Sequence, residues 1–318
     1  MIMHPLVHHQ RMALAMTLSS FLVMLAPITH AEASTFVVDS TTDAVDAAPG
    51  DHLCASADGA CTLCAAVQEA SALGGSVTIV VPAGTYLLTI PGSGEDEGKT
   101  GDLDVQVGFV ADAVSIIGAG AATTIIDGND LDWVIDKHGP GALTIVDLTI
   151  EHGSFGGIRS TLGVSVQDSV VQDNGGRGVL GDYGVLVANS SVRRNADGGI
   201  FSTTVGGLVT DSIVEDNQTQ GLGGGILAEG DFDRVVRTIV RRNRAHDGGG
   251  VYFSRGASIE GSLIADNVAD NGGGGVAGVI SPISGSTITG NTASFGEGRV
   301  GVLQCRREQY HQSQHVNG

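Results

Sequence analysis

A short pattern that repeats between residues 147 and 291 constrains the fold more than any other feature of the chain. Six segments end in Asn, and these Asn residues are 21, 22, 26, 24 and 24 residues apart. The segments are DSVVQDN, NSSVRRN, DSIVEDN, RTIVRRN, GSLIADN and GSTITGN, which end at Asn174, Asn195, Asn217, Asn243, Asn267 and Asn291. DLTIEHG, ending at Gly153, is an earlier copy without the Asn. A period of about 20 to 50 residues is typical of solenoids, in which each repeat forms one coil.

The composition favours many short strands over long helices. Gly accounts for 49 of the 318 residues and aromatic residues for 4%, and Val and Ile recur in short runs between Gly, Asn and Asp. A Gly-Gly-apolar step follows most copies, at Gly156-Gly157-Ile158, Gly198-Gly199-Ile200, Gly224-Gly225-Ile226, Gly249-Gly250-Val251 and Gly274-Gly275-Val276. Seven coils of this kind fit an all-β parallel β-helix, whose rungs stack about 4.8 Å apart.

Each aligned position of the repeat has a structural interpretation. The β-branched residues three positions before the Asn are expected inside the coils, and they are Ile150, Val171, Val192, Val214, Val240, Ile264 and Ile288. The Asn tolerates left-handed turn geometry and can bond its amide to the copies in adjacent coils, which predicts a structural asparagine ladder. A hydroxyl column lies five positions before it, at Ser169, Ser190, Ser212, Thr238, Ser262 and Ser286.

Charged residues of alternating sign occupy the position directly before the Asn. They are Asp173, Arg194, Asp216, Arg242 and Asp266, with His152 in the earlier copy. Matching positions of successive coils are lateral neighbours, so opposite charges there stabilise the stack by about 0.2 to 1 kcal/mol per pair. We interpret this column as a charge ladder that holds the register of the coils. A substrate-binding stripe is the alternative.

Residues 1–33 have the pattern of a secretory signal peptide. One Arg, Arg11, precedes an apolar run from Met12 to Ile28, and an A-x-A site predicts cleavage after Ala33. Polar residues interrupt the run, which is barely long enough to span a bilayer, so an uncleaved membrane anchor is the weaker alternative. We expect a protein that is secreted or held on the outer cell surface, with no transmembrane segment after cleavage.

Three of the four Cys lie close together, at Cys54, Cys61 and Cys64. In an oxidising compartment such residues form disulfides more often than zinc sites. We predict a Cys54–Cys61 disulfide and free thiols at Cys64 and Cys305. A Cys61-x-x-Cys64 redox pair and a zinc site are the alternatives. Apolar residues at helical spacing after a Thr62 cap predict a short helix that the disulfide pins to a loop.

The sequence around these cysteines resembles a known family. FVVDSTTDAVDAAPGDHLC and CTLCAAVQEASA are similar to the CSLREA domain, a module of exported bacterial proteins named for a Cys-Ser-Leu-Arg-Glu-Ala run. In this chain Cys64 and Ala65 stand where the family has Arg and Glu. The resemblance covers residues 36–72 and implies that a right-handed parallel β-helix of the pectin-lyase-like fold follows the module. It says little about activity.

The acidic character of the chain restricts its partners. The formal net charge is −19, whereas nucleic acids and anionic membranes reward basic patches, so we expect no nucleic-acid partner. An extracellular glycan or a cell-surface protein is the expected partner. The stretch GSGEDEGKTGDLD, from Gly92 to Asp104, is interpreted as a solvated loop, and no metal or other cofactor is expected. Weak calcium binding by this loop is the alternative.

A search for a polysaccharide-cleaving site finds two candidate groups, of which the smaller is His246-Asp247 in RRNRAHDGGG. Such a site needs clustered Asp residues with a nearby His and basic residue, or a calcium cluster with an Arg or Lys base. Asp132, Asp136, Lys137 and His138 lie together in NDLDWVIDKHGPG. The remaining elements of either chemistry do not accompany them, and aromatic residues that line sugar-binding clefts are scarce. The sequence therefore favours a protein without catalytic activity.

These observations predict four segments and one function. The segments are a signal peptide (1–33), a CSLREA-like cap (34–75), a β-helix (76–298) and an irregular tail (299–318) that is a poor cap, disordered, or an altered end. The predicted function is a surface, adhesive or structural role. A carbohydrate-active enzyme, either a polysaccharide lyase or a glycoside hydrolase, is one alternative, and a carbohydrate-binding module is another.

Overall fold

Short strands make up almost all of the regular secondary structure, and the only helix among the described residues is α1. The structure is a computed structural model that describes residues 33–204, 206–231, 233–295 and 300–302. The first part contains β1 (Ser34–Val37), α1 (Leu63–Leu73), β2 (Ser76–Val81), β3 (Gly84–Leu87), β4 (Leu103–Gln106), β5 (Ala113–Gly118), β6 (Thr124–Asp127), β7 (Trp133–His138) and β8 (Ala142–Val146). The next part contains β9 (Thr149–Glu151), β10 (Gly156–Ser160), β11 (Val164–Gln167), β12 (Val170–Gln172), β13 (Arg177–Gly181), β14 (Val185–Ala188), β15 (Ser191–Arg193), β16 (Ile200–Ser202), β17 (Leu208–Thr210), β18 (Ile213–Glu215), β19 (Ile226–Ala228), β20 (Arg234–Val236) and β21 (Ile239–Arg241). The last part contains β22 (Arg244–Ala245), β23 (Val251–Glu260), β24 (Leu263–Ala265), β25 (Val268–Ala269), β26 (Val276–Ser284), β27 (Thr287–Thr289), β28 (Thr292–Ala293) and β29 (Val300–Val302).

The strands pair in parallel with the equivalent strands of neighbouring coils. One sheet has 17 strands, a second has nine and a third has three. In the largest sheet two series lie side by side, one through β2, β5, β8 and β11 and the other through β4, β7, β10 and β13. Both series continue into the long strands β23 and β26. This arrangement confirms the predicted all-β parallel β-helix with a short N-terminal helix.

The apolar column of the repeat lies on the inward-facing side of the nine-stranded sheet. Val171 pairs with Val192, and Val192 pairs with Val214, at equivalent positions of adjacent strands. All three side chains are fully buried. Two further strands, β3 and β6, precede the first copy of the repeat in this sheet and place Ile126 beside Ile150. The coils therefore begin before the sequence pattern does.

A buried column of Asn side chains joins the coils, as the repeat predicts. It runs through Asn174, Asn195, Asn217, Asn243, Asn267 and Asn291. Each Nδ2 donates to the Oδ1 of the next Asn at 2.9 to 3.0 Å, and each backbone N–H donates to the same oxygen. Because these buried amides have partners on both sides, the ladder stabilises the stack without the cost of orphaned polar groups.

The left-handed backbone geometry lies one residue before the position that we predicted. The φ angles are 53° to 58° at the residues directly before the Asn column, namely His152, Asp173, Arg194, Asp216, Arg242 and Asp266. The prediction that the Asn itself takes this geometry is wrong, because its side chain must point inward and the tight corner falls on the outward residue before it. A second corner, directly before the hydroxyl column, has φ angles of 46° to 57° at Asp147, Asp168, Asn189, Asp211 and Arg237.

The N-terminal cap is held by the predicted disulfide. Cys54 and Cys61 are bonded, so the alternatives of a Cys61–Cys64 redox pair and a zinc site at these thiols are excluded. The Cys64 thiol is buried, and burial raises its pKa to about 12, which keeps it unreactive at neutral pH. The Thr62 hydroxyl caps α1 by accepting a hydrogen bond from the Ala65 N–H at 3.1 Å.

The observed segment boundaries differ in detail from those expected. Strand β1 lies within the predicted cap but pairs with β2 as part of the largest sheet. Strand β29 pairs with β26, so the β-helix extends past the boundary expected at residue 298. The signal-peptide prediction falls on residues outside the described part except for Ala33, and Cys305 with most of the predicted tail lies outside it too. Within the described residues, no helix is long and apolar enough to cross a membrane.

Candidate functional site

Three adjacent strands place charged side chains in one row on the outer face of the largest sheet. Asp104 on β4 is the register partner of Asp136 on β7, and Asp136 is the partner of Arg159 on β10. Alternation along β7 puts His138 on the same outer face as Asp136 and turns Lys137 between them inward. Beyond Arg159 the row continues with apolar residues, Leu180, Phe201, Leu227 and Tyr252. The charged group is thus confined to the N-terminal end of this face.

The loop before β4 covers the charged group and excludes water from it. The Gly98 N–H donates to Asp104 Oδ2 at 2.8 Å, and the Gln106 side chain donates to the Asp96 carbonyl at 2.8 Å. Asp104 and Asp136 are only 2% and 4% exposed although they face outward from the sheet. Asp96 itself remains exposed. The loop therefore turns a surface row of carboxylates into a partly desolvated site.

The imidazole of His138 lies at the centre of three carboxylates. Its Nε2 is 3.5 Å from Asp104 Oδ1, 3.4 Å from Asp136 Oδ2 and 3.6 Å from Asp96 Oδ1. The four donor atoms lie within 4.8 Å of one another. We call Asp96, Asp104, Asp136 and His138 the Asp–His cluster. Imidazole nitrogen and carboxylate oxygen are the atoms with which proteins bind divalent transition metals.

Arg159 neutralises one member of the Asp–His cluster. Its Nε donates to Asp136 Oδ1 at 2.8 Å, and its Nη2 lies 2.6 Å from Asp136 Oδ2. Burial raises the pKa of Asp136 even though this ion pair lowers it. The two-point contact fixes the orientation of the carboxylate, as such bidentate pairs do.

Two buried carboxylates beside the arginine pair, Asp102 and Asp104, form no ion pair with a Lys or Arg of the described residues. Burial raises the pKa of Asp104 to about 7, and burial together with the nearby charge of Asp104 raises the pKa of Asp102 to about 9. Each of these residues has an Oδ1 atom that is buried without a hydrogen-bond partner. Buried polar atoms of this kind are rare in folded proteins and costly.

The structure brings together only two of the four catalytic candidates that the sequence suggested. Asp136 and His138 are neighbours in the cluster. Lys137 is fully buried and donates through Nζ to the carbonyls of Gly139 and Leu162, both at 2.6 Å. Its ammonium is thus held inside the coil, where burial lowers its pKa to about 8.

Asp132, the fourth catalytic candidate, has a structural role. Its Oδ2 accepts from the Gly94 N–H at 2.7 Å, and its Oδ1 accepts from the Trp133 N–H at 2.8 Å. These bonds tie the covering loop to the start of β7. The carboxylate is 3% exposed, so both of its oxygens are engaged in holding backbone.

Sequence reasoning missed Arg159 as a partner of the site and treated Asp96, Asp102 and Asp104 as part of a solvated loop, which is also wrong for Asp102, at 5% exposed. The step Gly156-Gly157-Ile158 aligns with Trp133-Val134-Ile135 in the register of β10 and β7, so the alignment of the repeat places Arg159 beside Asp136. Nothing comparable identifies Asp104, because the long loop before β4 interrupts the period of the coils. The solvated-loop interpretation is wrong for Asp104, whose side chain is buried.

The charge ladder is present as separate pairs. Arg194 contacts both oxygens of Asp173 at 2.7 and 2.6 Å, and Arg242 contacts both oxygens of Asp216 at 2.8 and 2.7 Å. No ion pair in the described ranges joins Arg194 to Asp216 or Arg242 to Asp266. The charges alternate in sign but do not pair continuously, because each guanidinium contacts the carboxylate of the preceding coil.

A second acidic group lies at the corner before the repeats. His152 Nδ1 is 3.1 Å from Asp127 Oδ2, with Glu151 nearby. The hydrogen bond to Asp127 raises the pKa of His152. This imidazole is half-exposed and partnered, in contrast to the imidazole of His138.

Comparisons with known proteins identify no relative: no family model, no curated protein and no solved structure matches the chain. The resemblance of residues 36–72 to the CSLREA domain stays a prediction.

Proposed function

We propose that the chain is an exported, non-catalytic β-helix with a surface, adhesive or structural role. The observation that carries this proposal is the buried Asn ladder, which continues without interruption from Asn174 to Asn291. A stack whose coils are bonded to one another through every repeat is suited to present an extended rigid side surface.

The disulfide and the charge of the chain support the exported location. Disulfides persist in oxidising compartments outside the cytosol, and Cys54–Cys61 is one. The net charge of −19 suits a partner that is neutral or basic, and the expected class is an extracellular glycan or a cell-surface protein. Expression of the full chain in a bacterial host tests the location. Exported protein whose first residue is Ser34 supports it, and protein that keeps residues 1–33 in the cytosol contradicts it.

The geometry around the catalytic candidates supports the absence of catalysis. Lys137 and Asp132 are engaged by backbone groups, so neither is free to act on a substrate. Incubation of the purified protein with neutral and acidic polysaccharides, with and without divalent cations, tests this. We expect neither unsaturated products nor new reducing ends. Release of either product would overturn the non-catalytic role.

A polysaccharide-cleaving enzyme is a second candidate because of one observation. Asp104 and Asp136 are register partners; the pKa of Asp104 is raised to about 7, whereas Asp136 is held by Arg159. Carboxylates in unlike environments can serve as acid and base in glycoside cleavage. If cleavage occurs, Asp104→Asn and Asp136→Asn should each abolish it, while Asp266→Asn, which is remote from the cluster, should not.

A further inference from the structure

We infer that the Asp–His cluster binds one divalent transition-metal ion, of the class of Zn²⁺. The inference concerns Asp104, Asp136, His138 and Asp96 and does not depend on the proposed surface role. Its first support is the donor set, which combines one imidazole nitrogen with three carboxylate oxygens. Calcium prefers six to eight oxygen ligands, whereas zinc prefers four ligands that include His nitrogen.

The distances from His138 Nε2 to the three carboxylate oxygens are close to those between the ligands of a tetrahedral ion. Ligands at about 2.0 to 2.1 Å from a tetrahedral zinc ion lie about 3.3 to 3.4 Å from one another. The distances from His138 Nε2 to the oxygens of Asp136, Asp104 and Asp96 are 3.4, 3.5 and 3.6 Å. These three distances are close to the ligand spacing of a tetrahedral ion, and all four donor atoms lie within 4.8 Å of one another.

An orphaned buried oxygen gives an independent indication of a ligand. The Asp104 side chain is fully buried, and its Oδ2 accepts the Gly98 N–H while its Oδ1 has no hydrogen-bond partner. Because Oδ2 is held, Oδ1 is directed toward His138 Nε2, which also lacks a hydrogen bond. Two buried polar atoms that face each other without bonding are satisfied together by one cation between them.

The surroundings of the cluster hold its ligands in place. Arg159 fixes Asp136 through two contacts, and the Gly98 N–H fixes Asp104. Outer partners of this kind orient metal ligands and tune their affinity. The charges also balance, since one dication together with Arg159 offsets the three carboxylates of the cluster.

A protonated His138 that bridges the carboxylates without a metal is the competing explanation. Charged N–H donors approach carboxylates to about 2.7 to 2.9 Å. Arg159, which lies beside the cluster, approaches Asp136 to such a distance. His138 remains at 3.4 to 3.6 Å from all three carboxylates. His152, by comparison, lies 3.1 Å from Asp127. The wider separation at His138 fits a shared ion better than a direct ion pair.

Calorimetric titration of the EDTA-treated mature protein tests the inference. The Cys305→Ser background removes the thiol of the C-terminal segment as a competing ligand. We expect one Zn²⁺ per chain at the cluster, bound more tightly than Ca²⁺, and a higher melting temperature with Zn²⁺. His138→Gln and Asp104→Asn should each weaken binding by at least about 100-fold. Asp96→Asn should weaken it by about tenfold, because that ligand is exposed and mobile side chains lose more freedom on binding.

His152→Asn is the matched control, because it removes a histidine that also lies beside two acidic residues. It should leave Zn²⁺ binding within about twofold of the unsubstituted protein, whereas outer-shell losses at a real site cost about 10- to 100-fold. The inference is overturned if no Zn²⁺ binds, or if binding survives His138→Gln. It is also overturned if His152→Asn abolishes binding, or if Ca²⁺ binds as tightly as Zn²⁺ irrespective of His138.

If circular dichroism shows that either cluster variant is unfolded, Co²⁺ bound to the unsubstituted protein decides the matter. An intense visible absorption that EDTA removes is the expected sign of tetrahedral coordination. Absence of that absorption would count against the site.

Discussion

The region from residue 34 to 138 and the coils from residue 147 to 293 share one stacked architecture but treat buried polar groups differently. In the coils, each ladder Asn from Asn195 to Asn267 bonds an identical residue in the coil before and in the coil after. In the first region, Asp102, Asp104 and His138 each have a buried polar atom without a partner. Where the repeat is strict, a buried polar atom finds the same hydrogen-bond partner in every neighbouring coil. Where the repeat is broken, buried polar atoms can remain without a partner.

One exception within the coils supports the same conclusion. Asp233 Oδ2 is also buried without a partner. It lies next to Arg234, which pairs with Leu208 in the preceding coil and with Ser258 in the following one. The residues that match Asp233 in those coils are therefore Gly207 and Ala257, and neither has a polar side chain.

The largest effect is expected from breaking the ladder in the middle. Asn217→Ala removes the oxygen that accepts from Asn195 and the amide that donates to Val192 and Asn243. Several buried groups would lose partners at once, so we expect a loss of about 3 to 4 kcal/mol in the free energy of unfolding. Urea unfolding measures it. Asn271→Ala, an exposed site, is the control, and an equal loss in both would mean that the ladder carries no special stability.

The second-largest effect is expected from removing the disulfide Cys54–Cys61, which lies in the first region. Replacing Cys54 and Cys61 together by Ser opens a loop of sequence separation seven. The loop-entropy relation gives a loss of about 2 to 3 kcal/mol. We expect the loss to appear as faster amide exchange in α1 and β2, with slow exchange retained in β18 and β21, because stacked coils respond mainly to their neighbours. Uniformly faster exchange in all coils would show that the two regions unfold as one unit.

A smaller effect separates paired from unpaired members of the charge ladder. Asp216→Asn removes one of the two carboxylates that Arg242 contacts, leaving Glu215, and keeps a residue that tolerates the left-handed corner, where φ is 57°. We expect a loss of about 0.5 to 1 kcal/mol, reduced by added salt. Arg242 holds the pKa of Asp216 below its usual value, so this stability is present at neutral pH and is lost as the pH falls below about 4, through that lowered pKa.

Asp266→Asn is the control for that pair, because none of the ion pairs found among the described residues includes Asp266. Its substitution should change stability by less than about 0.5 kcal/mol, as surface changes without partners do. Equal losses for Asp216→Asn and Asp266→Asn would restore the continuous ladder that the sequence predicts.

The smallest effect is a change in the pH dependence of stability at Asp233, the carboxylate of the coils with a buried oxygen that has no partner among the described residues. Burial raises the pKa of Asp233. The folded form therefore loses stability as the pH rises from about 4, the unfolded value, through the raised pKa of the folded state. Asp233→Asn keeps the oxygen that accepts the Gly207 N–H and removes the titration. Melting temperatures across pH should show the substituted protein gaining on the original as pH increases. A constant difference would contradict this.

The features that the sequence predicts correctly are those that repeat. The spacing of the Asn residues is enough to predict the parallel β-helix, the buried Val and Ile column and the Asn ladder, because one interpretation must suit every copy. The left-handed corner was assigned one residue too late, since Asn and Asp both tolerate that geometry and only the inward direction of Asn217 and its equivalents separates them. The Asp–His cluster depends on the pairing of Asp104 with Asp136. The repeat does not predict this pairing, because both residues lie before its first copy.

The Asn ladder gives the solenoid a direction. From Asn174 to Asn267, each side-chain amide donates one hydrogen bond to the Oδ1 of its C-terminal neighbour, so the five Asn–Asn hydrogen bonds all run in the same direction along the axis. At the N-terminal end the column already meets a donor, the Gly153 N–H, at 2.9 Å. A further coil at the opposite end must instead offer an acceptor. The column can therefore be extended only beyond Asn291, because β9, β6 and β3 already stack on its N-terminal side.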